Sequence, residues 1–182
     1  MFGVHLSRLP ASGKLFCTLY LIGIGCGALA AFAQAATAVG LTPADVQASL
    51  APDMPMTHMG HGASGGEREI SLGEISKTAR VWMRTPLLIQ TSHTHLFGQT
   101  LIAGLLGLIF LFSSVGERTK MLLIALPFVG TLLDIGGMWL TRFVSPSFGV
   151  VVIAGGSLFG LGYALIAILS LYELWLQREA VA

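Results

Sequence analysis

Four apolar runs, each long enough to cross a bilayer, divide this chain and leave little else in it. A spanning helix needs about 20 apolar residues, and in lipid every backbone polar group must be satisfied within the segment. Runs at 15–39, 86–114, 120–141 and 148–175 meet that length. Short connectors join the last three, so neighbours must run antiparallel. Only 10% of the 182 residues are charged, against about 25% in soluble domains, which places the chain in a membrane. The predicted class is therefore all-α, an integral membrane protein: a four-helix antiparallel transmembrane bundle with one short amphipathic surface helix.

That surface helix falls in 40–84, the one substantial polar region. Its first part is rich in Pro, Gly and Met and reads as an irregular loop. In its second part Ser71 and Glu74 fit a capping box, and Leu72, Ile75, Ala79, Trp82 and Met83 recur at helical spacing. A helix over 72–84 lying on the membrane, with Trp82 at the interface, is the expectation. Two readings stand for the first run. Arg8, Lys14 and the small-residue triplet Ala31-Phe32-Ala33 suit a cleaved signal, whereas about 25 apolar residues exceed a signal core and suit a retained helix. Gly23 with Gly27, and Gly156 with Gly160, are small-residue pairs that let another helix approach. The two cysteines, Cys17 and Cys26, lie in the first apolar run, and no disulfide framework follows from them.

Basic residues set the orientation. Arg8, Lys14, Arg118, Lys120 and Arg178 fall on one side, which the positive-inside rule makes cytoplasmic. The expectation is a multi-pass protein of the cytoplasmic (inner) membrane, with residues 1–14 and 176–182 inside and the 40–84 region outside. A formal net charge of +1 and the lack of a basic run exclude a nucleic-acid surface. Expected partners are the lipid bilayer and either another membrane protein or further copies of this chain.

Polar residues inside spans mark sites, because they are costly there. Counting ~1.5 Å per residue from the cytoplasmic ends puts Asp134 at ~20 Å, Gln99 at ~21 Å, His95 at ~27 Å and Gln34 at ~28 Å, a polar layer in the outward half. Ser92, His95 and Gln99 follow i, i+3, i+7 and form one stripe. Thr131, Asp134, Met138 and Thr141 form another that is placed to meet it. His93 is about 200° round the helix from His95, so the two imidazoles cannot share one metal.

The His93-Thr94-His95 triplet resembles the H-x-H on one helix of haem–copper oxidase catalytic subunits, and the likeness covers these three residues. It implies haem or copper at imidazole ligands, although the chain has too few spans for such an oxidase. Met54, Met56, His58, Met59 and His61 sit within eight residues, and thioether with imidazole suits copper. The candidate metal ligands are therefore His93, His95, His58, His61, Met54, Met56 and Met59, around copper or haem b. Asp134, Gln99, Ser92, Met138 and Gln34 would support them. The predicted function is a redox or metal-handling accessory in the membrane. One alternative is a non-catalytic helical subunit of a larger complex whose polar layer only fixes packing. Another is a proton-coupled carrier relaying through Asp134 and His95. No hydrolase triad, phosphate loop or dinucleotide fingerprint is present.

Overall fold

The computed structural model describes residues 5–50 and 85–177. A single 3-10 turn, Leu6–Arg8, precedes α1 (Ala11–Ala38) and α2 (Pro43–Leu50); α3 (Thr85–Phe110), α4 (Glu117–Phe143) and α5 (Gly149–Trp175) follow. Helices α1, α3, α4 and α5 are each long and apolar enough to cross a membrane. The fold is an all-α membrane bundle. Expected elements at 51–84, the surface helix 72–84 and the Met/His run, lie outside the described residues.

Contacts at the two ends establish the up-down-up-down order. At one end the Leu6 N–H donates to the Phe112 carbonyl (3.0 Å), the Trp175 indole N–H to Thr18 Oγ1 (2.9 Å), and Ser113 Oγ to Glu173 Oε2 (2.6 Å). The start of α1, the end of α3 and the end of α5 therefore share a level. At the other end α2 lies across the bundle, and Val46, Leu50 and Leu88 pack with Met138, Val152 and Ile153. The main apolar core, Leu21, Leu106, Phe110, Leu123 and Ile166, joins all four spans nearer the Glu173 end.

Closest packing is between α4 and α5. Gly130 and Gly137 on α4, and Gly155 and Gly162 on α5, are each seven residues apart and so line one stripe per helix. A Cβ on Gly130 would stand 2.5 Å from the Phe159 amide nitrogen, and one on Gly137 2.8 Å from that of Val152. One on Gly155 would sit on the Asp134 amide nitrogen. Backbone meets backbone there, as small residues allow in lipid. Gly162 lies against Pro127, whose Cδ a Cβ would approach to 2.8 Å. The Pro127 ring, which interrupts the α4 ladder, is thus accommodated by a residue without a side chain.

The i, i+4 pairs Gly23/Gly27 and Gly156/Gly160 do not make these contacts: a Cβ on any of the four would meet nothing within 4 Å. Gly156 lies about 100° round α5 from Gly155, which carries it off the seam. Helix α1 is held at its first half, where the Tyr163 hydroxyl donates to the Leu21 carbonyl (2.6 Å). Further along, Leu29 and Phe32 are exposed.

Helix α2 stands where an irregular loop was expected. Thr42 Oγ1 accepts from the Asp45 N–H (3.2 Å), the Thr42 N–H donates to Asp45 Oδ2 (3.3 Å), and Pro43 occupies the first turn. This is a capping box with aspartate in the fourth place. Gly40, at φ +101°, makes the reversal from α1 that only glycine adopts freely. Arg142 donates to the Leu50 carbonyl (3.3 Å), placing a cation at the C-terminal end of α2. Thr42→Ala is expected to cost about 1 kcal/mol of stability, read as a lowered thermal midpoint in detergent; an unchanged midpoint would show that α2 needs no cap.

Candidate functional site

Asp134 is the acid buried in the middle of α4, only 6% exposed. The Gly155 contact explains this, because α5 lies directly on the Asp134 backbone. From α3, Gln99 Nε2 donates to Asp134 Oδ2 at 3.4 Å. His95 is one turn further along the same face, its Nδ1 3.5 Å from Gln99 Nε2 and 3.7 Å from Asp134 Oδ2. The i, i+4 spacing of His95 and Gln99 puts both within reach of one carboxylate. These separations are longer than the usual ~2.9 Å, so the cluster is loose. Gln99 Oε1 is buried and has no partner among the described residues.

The electrostatic arrangement is asymmetric. Asp134 is enclosed, whereas the His95 side chain is 43% exposed. With Nδ1 directed at the carboxylate, Nε2 on the far side of the ring remains as a donor atom. A carboxylate behind a histidine fixes the tautomer and ring orientation, as seen behind metal-bound imidazoles.

The other expected residues separate into three groups. Ser92 is engaged by Trp139, whose indole N–H donates to Ser92 Oγ (2.8 Å), a second α3–α4 tie nearer the α2 end. Met138 packs in the apolar cluster under α2, away from the His95 cluster. His93 points elsewhere, exposed and packed on Phe97 of its own helix at 4.9 Å between ring centroids. Gln34 is exposed on α1 and does not join the layer. Thr131 and Thr141 are buried and donate their hydroxyl protons back to the Pro127 and Gly137 carbonyls of their own helix. His58, His61, Met54, Met56 and Met59 lie outside the described residues. Among the described residues no group of three His, Cys, Asp or Glu converges on a metal-sized site.

A second polar cluster, at the opposite end, escaped the sequence reading. Glu173, 2% exposed, accepts from Ser113 Oγ (2.6 Å) and from the Ser114 N–H (2.7 Å). Lys120, 9% exposed, donates from Nζ to the Leu111 carbonyl (3.1 Å). The α3–α4 turn is thereby closed by a carboxylate and an ammonium. One signal was available: Glu173 is the only acid in the last apolar run.

Residues 84–181, which include α3, α4 and α5 and all of His95, Gln99 and Asp134, match a family model described as a transmembrane helical domain. No curated protein and no solved structure matches the chain.

Proposed function

The chain belongs to the Aq_1264_TM family of transmembrane helical domains, and from that premise we propose that it holds haem b or copper through His95 and serves as a redox or metal-handling accessory. The observation that carries this reading is the approach of His95 Nδ1 to Asp134 Oδ2 and Gln99 Nε2, which leaves Nε2 as the outward donor. His95 would hold the iron of a haem, which would supply one-electron redox chemistry when bound. Copper takes a larger share of protein donors, and Met54, Met56, His58, Met59 and His61 offer thioether and imidazole of the right softness. In this reading the α2 end faces outward and the Lys120 end faces the cytoplasm, as the placement of basic residues favours.

Haem and copper content of the protein purified in mild detergent tests the reading. Soret absorption or stoichiometric copper is expected, lost in His95→Ala and retained in His93→Ala. Asp134→Asn is expected to weaken the affinity by about 10–100-fold, the usual cost of removing the carboxylate behind a ligating histidine. Colourless, metal-free protein from cells supplied with copper and a haem precursor would overturn it. The His95–Gln99–Asp134 cluster would then be a packing layer, as in a non-catalytic subunit.

A further inference from the structure

At the Lys120 end, α3 and α4 leave an apolar groove of about 230 Å³ between them, lined by Gly104, Gly107, Leu108, Leu111, Ile124 and Phe128. Gly104 opens it, since a Cβ there would meet nothing within 4 Å, whereas one on Gly107 would stand 3.3 Å from Ile124 Cγ2 on the α4 wall. From Gly104 to Leu111 the groove follows ~10 Å of helix, about a third of the ~30 Å hydrocarbon thickness.

The groove ends at a cation. Lys120 precedes Ile124 and Phe128 by four and eight residues, so all three lie on one stripe of α4. Its Nζ bonds the carbonyl of Leu111, itself a lining residue. An ammonium has three donors, and this bond uses one. Lys120 forms no ion pair among the described residues, and Glu173, the buried acid at that end, is occupied by Ser113 and Ser114. Two donors are thus left for an incoming anion, which a nearly buried cation favours in a low-dielectric setting.

We infer that this groove and Lys120 form a binding site for one anionic phospholipid, an acyl chain lying against Gly104 and Gly107 and the headgroup phosphate meeting Lys120. Basic pockets between transmembrane helices recognise anionic headgroups by this combination of charge and apolar contact. The site is about half a membrane away from His95 and does not depend on any metal there.

The test uses the full chain in nanodiscs of equimolar phosphatidylglycerol and phosphatidylcholine, extracted into mild detergent and examined by native mass spectrometry. Wild type is expected to retain phosphatidylglycerol about fivefold over phosphatidylcholine, the factor for one lysine near an anionic headgroup. Lys120→Gln equalises the two. Gly104→Leu fills the groove and lowers retention of both, while Gly156→Leu, equally open but on α5, leaves retention unchanged. Because Lys120 also closes the α3–α4 turn, its variant can fail to fold, and Gly104→Leu then decides. Equal retention of the two lipids by wild type would overturn the inference, as would undiminished retention in Gly104→Leu. A wild-type dimer by light scattering that Gly104→Leu dissociates would assign the groove to a second copy and overturn it as well.

Discussion

Gly155→Ala is expected to unfold the α4–α5 pair at a cost of about 3 kcal/mol, the upper range for overpacking a filled interior. The added methyl would press on the Asp134 amide nitrogen and stand 2.7 Å from the Asp134 Cα and 2.8 Å from the Gly130 carbonyl oxygen. None of these can yield as a flexible side chain would, because all belong to a helix backbone. The helices must separate along the whole seam, since Gly130, Gly137 and Gly162 make their contacts at the same spacing. A denaturing-detergent titration followed by circular dichroism reads the loss. Gly156→Ala, one residue away and facing open space, is the control and is expected to match wild type. Equal stability of the two variants would show that the seam is not as close as described. Asp134 lies in that seam, so Gly155→Ala should also disturb the His95–Gln99–Asp134 cluster.

Glu173→Leu is expected to cost a similar amount, about 3 kcal/mol. Its carboxylate accepts from Ser113 Oγ and the Ser114 N–H, and hydrogen bonds to a charged group each contribute about 1.5–3 kcal/mol. Leucine preserves bulk but strands both donors at a site where Ser113 is 2% exposed. Glu173→Gln keeps one acceptor oxygen and should lose about half as much. Both variants are compared with wild type by the same titration. A Leu variant as stable as wild type would mean that the turn holds without its carboxylate. The lesion is remote from His95, so on the proposed reading any metal or haem content should fall only as far as the folded fraction does.

How much of this was legible beforehand differs from element to element. The stripe Ser92, His95, Gln99 and the stripe bearing Asp134 follow from 3.6-residue periodicity, and a carboxylate inside an apolar run had few partners to choose from. Helix α2 was also legible, in Thr42, Pro43 and Asp45, but the density of Pro, Gly and Met further along pulled the reading towards a loop. Gln34 could not be placed by depth alone. Level along the membrane normal says nothing about lateral distance, and Gln34 lies on an exposed face of α1.

Length and hydropathy determined the class of this protein unaided, because lipid admits only segments that satisfy their own backbone, and helical periodicity then determined which side chains share a face. Which face meets which neighbour was beyond such reasoning. Lipid is as apolar as leucine, so burial does not choose partners between spans; contact shape does. Gly155 rather than Gly156 forms the seam and Asp134 is enclosed there, because the α4 and α5 backbones touch at that register, while Glu173 and Lys120 close the α3–α4 turn.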